Sequence, residues 1–190
     1  PVAITTAGSY CLGGALTTGD SSGPNIDIKA NNVVLDCNGN QINFVGESGG
    51  VGVRISGKSD IVVRNCHFNN FNTGIDILNG HRILVQGNYA DGSKTSGLRV
   101  TGSENELADN VITNTVGANG IRVDSNPDST TLVHNNTVRN VVAPSGGAAA
   151  FRVGGGGRVL LRDNVVREIG APSNSTGTAI VIQSDPALVP

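Results

Sequence analysis

Four arginines, Arg54, Arg99, Arg122 and Arg152, each stand between two apolar residues in short phrases such as Val53-Arg54-Ile55 and Leu98-Arg99-Val100. Asp27 and Asp76 fill the same place in Ile26-Asp27-Ile28 and Ile75-Asp76-Ile77. If the phrases stack in register, these side chains form one outward column, with the apolar partners turned inward. A guanidinium pairs with a carboxylate through two parallel hydrogen bonds, so such a column is chemically suited to a polyanion. Stacked arginines also repel one another by about 1 kcal/mol per neighbouring pair in water, a cost that Asp76 and Asp124 are placed to offset. The candidate binding residues are therefore Arg54, Asp76, Arg99, Arg122, Asp124 and Arg152. The competing reading is a solvated face whose arginines find local carboxylates and bind nothing.

Other chemistries find less support. Cys11, Cys37 and Cys66 form no CxxC pair, and the histidines at 67, 81 and 134 are scattered, which argues against zinc. The glycine run 154–157 lacks the Lys-Ser/Thr of a phosphate loop and reads as a wide turn. A formal net charge of −2, with charged residues at 15%, offers no basic excess for nucleic acid. No apolar run approaches a membrane span, and the opening at Pro1 lacks the segments of a signal peptide, as expected of a mature form.

The elements that would position the column are legible as a repeat. The apolar pairs Ile26/Ile28, Val53/Ile55, Ile75/Ile77, Leu98/Val100, Ile121/Val123, Phe151/Val153 and Ile180/Ile182 recur every 22 to 30 residues. A second set of segments, including NVVLDCN (32–38), DIVVRNC (60–66) and RILVQGN (82–88), keeps step with the first. Each ends at a corner occupied by Asn38, Cys66, Asn88, Asn110, Asn136 or Asn164. Asparagine tolerates the left-handed backbone of a sharp bend and its amide can bond to the amide one coil away, so these six positions are expected to form a ladder. The second segments carry an outward column of their own, Val34, Val62, Leu84, Glu106, Leu132 and Leu160. Its apolar character predicts a covered face, under a loop or through self-association by Val34, Val62, Leu84, Leu132 and Leu160.

The segments GVRISGKSDIVVRNCHFNNFNTGIDI (52–77) and NNVVLDCNGNQI (31–42) make the chain resemble the right-handed parallel β-helix repeat proteins of the pectate-lyase-like superfamily. The resemblance implies an all-β, single-stranded solenoid of about seven coils over residues 25–190, preceded by a cap over 1–24 and closed where Ser184-Asp185-Pro186 breaks the pattern. Such a fold hosts both enzymes and binding proteins. The runs that mark polysaccharide hydrolases of this kind, Asn-Thr-Asp, Asp-Asp, Gly-His-Gly and Arg-Ile-Lys, are absent. A secreted, non-catalytic module that binds acidic polysaccharide or serves a structural role is therefore the first expectation, with no cofactor. The alternative is a lyase with an arginine base and calcium held by Asp76 and Asp124. Tyr10-Cys11-Leu12 and Asp36-Cys37-Asn38-Gly39 resemble the start of secreted bacterial members. The expected disulfide is Cys11–Cys37, with Cys66 free in the ladder and Cys37–Cys66 as the rival pairing. Either bond implies a secreted or periplasmic location.

Overall fold

The computed structural model describes residues 1–46, 49–144, 147–170 and 177–183, so the expected ending at Ser184-Asp185-Pro186 lies outside the described residues. Every strand pairing is parallel, and three ladders run along the molecule. The first links Val2–Ile4, Pro24–Ile28, Val51–Ser56, Thr73–Gln86, Ser96–Ser103, Asn119–Ser125, Ala148–Gly155 and Gly177–Ile182. The second begins at Gly8–Cys11 and ends at Arg158–Arg162, and the long strand Thr73–Gln86 joins it to the first as one fourteen-stranded sheet. The third is a seven-stranded sheet from Leu16–Thr18 to Val165–Gly170. This is the parallel solenoid that the repeat predicts. Residues 1–18, expected as a cap, form a coil of the same kind: Val2 pairs with Ile26, Gly8 with Val33 and Leu16 with Ile42.

Strand alternation turns one aliphatic set inward on every coil. Ile26, Val53, Ile75, Leu98 and Ile121 form one continuous buried column, and Leu35, Val63, Val85, Leu107 and Val133 form another. Burying each of these side chains contributes about 1.5–3 kcal/mol. Ile182, expected in the core, is 78% exposed on the last described rung.

The ladder is present, with two corrections. Asn88, Asn110 and Asn136 are fully enclosed, and the backbone N–H of each donates to the side-chain oxygen of the next asparagine, at 3.0, 2.9 and 2.9 Å, ending at Asn164. Cys66 donates in the same way to Asn88 Oδ1. The side-chain amide of each asparagine reaches in the other direction to a strand carbonyl one coil before, Val63 for Asn88 and Val85 for Asn110. Asn38, however, is outside the ladder. It is exposed at a left-handed φ of 51°, in a corner two residues longer than its successor. Asn40 takes the corner instead, its carbonyl accepting from His67 as the Cys66 carbonyl accepts from Tyr89. The left-handed turn itself falls on the residue before each ladder position, Asn65, Gly87, Asp109, Asn135 and Asp163. Bend and ladder are separate tasks held by adjacent residues.

The disulfide joins Cys37 to Cys66, with their Cα atoms 4.7 Å apart, and Cys11 is the free, exposed thiol. Alternation explains the difference from the expected Cys11–Cys37 bond. Cys11 lies in register with outward Asp36, whereas Cys37 is the next residue along and turns into the core beside Cys66.

Two outcomes follow from this corner. Asn110→Ala strands the Asn88 N–H and the Val85 carbonyl inside the protein, and should lower the unfolding free energy by roughly 3–5 kcal/mol in urea titrations. Asn38→Gly, which keeps the left-handed turn, should change it by no more than about 0.5 kcal/mol; equal losses would remove the ladder from the account. Thiol titration should find one accessible thiol in the native chain, and Cys37→Ala/Cys66→Ala should cost roughly 3.5 kcal/mol, the closure entropy of a loop of 29 residues.

Candidate functional site

The register places Asp27, Arg54, Asp76, Arg99, Arg122, Arg152 and Val181 in one column on the first ladder. How the column handles its own charge decides what it can bind. Asp76 is 1% exposed, and Arg99 holds it with two parallel bonds, Nε to Oδ1 at 2.6 Å and Nη2 to Oδ2 at 2.7 Å. The hydrogen bonds to Asp76 push the Arg99 guanidinium still further above its ordinary value, so it is charged at every accessible pH. Arg54 approaches the same carboxylate from the coil before, its Nε 3.8 Å from Oδ2. That Nε is buried and has no hydrogen-bond partner among the described residues.

The other two arginines are engaged elsewhere. Arg122 donates from Nε to Asp124 Oδ2 at 2.8 Å, two residues along its own strand. Arg152 places Nε and Nη2 on Gln183 Oε1, at 3.1 and 2.6 Å. The expected strip of four is thus divided, and Arg54, Asp76 and Arg99 are the members brought together. Asp124 lies in register with Thr101 and Gly154, off the Asp76 column and two coils beyond it. The two carboxylates do not converge, and the described residues contain no group of three or more His, Cys, Asp and Glu that could hold a metal ion.

A groove of about 310 Å³ opens above Arg54, Asp76 and Arg99. Its far wall is built from residues that column reasoning does not reach, Ser21, Ser22, Gly49, Gly50 and Asn72. Asn72 ties this wall to the sheet: its Oδ1 accepts from the Gly49 N–H, and its own N–H donates to the Gly49 and Gly50 carbonyls. Gly49 has a φ of +111°, and a Cβ there would sit 2.4 Å from the Ser21 Cβ, so the two loops close on each other only with glycine at this position. The signal in the sequence was the coil from Ile26 to Val53, 27 residues against 22 in the next.

The second outward column runs in register from Val34 to Leu160. Its members are half-buried except Leu160, which is 47% exposed. Glu106 interrupts it and meets His134 Nε2 at 2.8 Å.

Among known families, the one described as the right handed beta helix region matches residues 11–166. No curated protein matches the chain.

Replacing Asp76 tests the clamp. Asp76→Ala leaves two guanidiniums facing each other and should destabilise the fold by roughly 2 kcal/mol, less than a fully buried pair would cost, because Arg54 and Arg99 are 35% and 37% exposed. Arg122→Ala and Arg152→Ala should each change stability by no more than about 0.5 kcal/mol. Thermal unfolding of the three variants gives the comparison, and an Asp76→Ala protein as stable as wild type would show the clamp to be ornamental.

Proposed function

This chain belongs to the right-handed β-helix family, and we propose that it is a binding module for acidic polysaccharide in an oxidising compartment, outside the cell or in the periplasm. The observation that carries the reading is the Arg54–Asp76–Arg99 clamp. Two guanidiniums converge on one buried carboxylate at the floor of an open groove, while Asp27, next to Arg54 in the column, is paired with Lys29. The outer Nη nitrogens of Arg54, whose side chain is 35% exposed, carry no hydrogen bond among the described residues, and a uronate carboxylate supplies an acceptor for them. The groove's size suits one or two sugar rings rather than a long polymer segment, so affinity comes from repeated weak contacts along the chain. The Cys37–Cys66 bond supports the oxidising location.

The groove binds more readily than it catalyses. A lyase would need an arginine that surrenders its proton, and the hydrogen bonds to Asp76 oppose that loss at Arg99.

Retention on immobilised pectate or alginate tests the proposal. Wild type should be retained in the millimolar to micromolar range and released by salt. Arg54→Gln should weaken binding about tenfold, the worth of one charge-assisted contact, while Arg152→Gln should behave as wild type. Binding should be flat from about pH 5 upward and fail below about pH 3.5 as the uronate takes up its proton. Undiminished retention of Arg54→Gln would refute the reading, and ultraviolet absorbance from an unsaturated product would show a lyase instead.

A further inference from the structure

A different face of the solenoid carries a second arrangement that the arginine groove does not use. On the third sheet, the strands Gln41–Phe44, His67–Asn69 and Tyr89–Asp91 stack in parallel, with Gln41, His67 and Tyr89 in one outward column and Asn43, Asn69 and Asp91 in the next. The inward residues between them, Ile42, Phe68 and Ala90, are buried and fix the outward set in place.

Aromatic side chains are scarce here, and their distribution is informative. All four phenylalanines are buried in the core, and the Tyr10 hydroxyl is bonded to Thr6. Tyr89 is half-exposed, and no hydrogen bond among the described residues occupies its hydroxyl. Its ring lies against the His67 ring of the coil before, with centroids 5.6 Å apart and planes at 49°. Beside this ring pair runs a row of amides. Asn69 Nδ2 donates to Asn43 Oδ1 at 2.6 Å, and Asn114 Nδ2 donates to Asp91 Oδ1 at 2.6 Å. These bonds hold the row rigid and leave Asn69 Oδ1 and Asp91 Oδ2 as acceptors next to the rings.

We propose that this face, centred on Tyr89, His67, Asn69 and Asp91, is a second binding surface, for the rings of a neutral polysaccharide. A pyranose presents an apolar C–H face, which packs on an aromatic ring, and an equatorial rim of hydroxyls, which needs fixed donors and acceptors at its edge. Three coils about 4.8 Å apart, with side chains about 7 Å apart along each strand, make a platform of roughly 10 by 7 Å, the size of one or two such rings. The strands of these three coils carry no arginine or lysine on this sheet; the cations of the same column, Arg139 and Arg167, stand two and three coils beyond Asp91. A polyanion gains nothing here, and the row of amides gives another protein little apolar surface to cover. The surface is independent of the arginine groove, which lies on the first sheet.

Titration of the ¹⁵N-labelled full chain with cello-, xylo-, manno- and galacto-oligosaccharides tests it. At least one should shift the amide signals of residues 67–69 and 89–91, with dissociation in the millimolar range. Tyr89→Ala should weaken that binding at least about fivefold, Tyr89→Phe should retain most of it, and Arg54→Gln should leave it unchanged. Asn69→Ala, which keeps the ring pair, should also weaken it and serves if Tyr89→Ala does not fold. The proposal is overturned if none of the sugars moves these signals at about 20 mM, if the shifts fall in the arginine groove instead, or if the folded Tyr89 or Asn69 variants bind as wild type does.

Discussion

A parallel solenoid must turn the chain sharply inside each coil, and every such turn brings a backbone N–H toward the interior where no water can reach it. The row of asparagines resolves this. Each supplies an oxygen to the N–H of the coil before and takes a strand carbonyl with its own amide, so one residue type satisfies three polar groups per coil. Because the donor and acceptor come from different coils, the arrangement holds only when successive coils are in register. From Cys66 to Asn164 this corner therefore keeps one length, and the two extra residues at 37–40 come where the ladder ends. Where the row reaches its N-terminal end, the Cys37–Cys66 bond makes a covalent link between the two earliest corners of the series.

Register in the core dictates register on the surface, and this is what gives the outward columns their chemistry. Like charges one coil apart are tolerated only when something intervenes, and the chain uses three different solutions in succession: a buried aspartate under Arg54 and Arg99, a carboxylate on the same strand for Arg122, and a neutral amide for Arg152. Among the described residues only the first leaves a buried guanidinium nitrogen without a partner, and there the loops carrying Ser21 and Gly49 form a wall. The site is the place where a column constraint and an insertion coincide.

Much of this was legible in the sequence, because the period of the apolar pairs fixes which residues share a column and strand alternation fixes which face they take. The arginine column and the ladder from Cys66 to Asn164 follow from that alone. What period could not give is the path between strands. The corner at 37–40 carries two extra residues, which moved the ladder position from Asn38 to Asn40. The groove wall comes from loops joined through Asn72, and no periodic signal marks such a contact. The cysteine pairing was within reach, since Tyr10 shares a column with Leu35 and Cys11 must then face outward, away from Cys37. The partners of Arg122 and Arg152, Asp124 and Gln183, stand two residues off the column, where the period of the apolar pairs gives no signal.

Arg54 is the open donor of a clamp that the stacked coils hold rigid. A crystal structure of the chain with a short oligogalacturonate addresses this directly. A ligand carboxylate within hydrogen-bond distance of the Arg54 Nη nitrogens, with the Arg99–Asp76 pair undisturbed, is the predicted result. A carboxylate seated on Arg122 or Arg152, with Arg54 untouched, would contradict it.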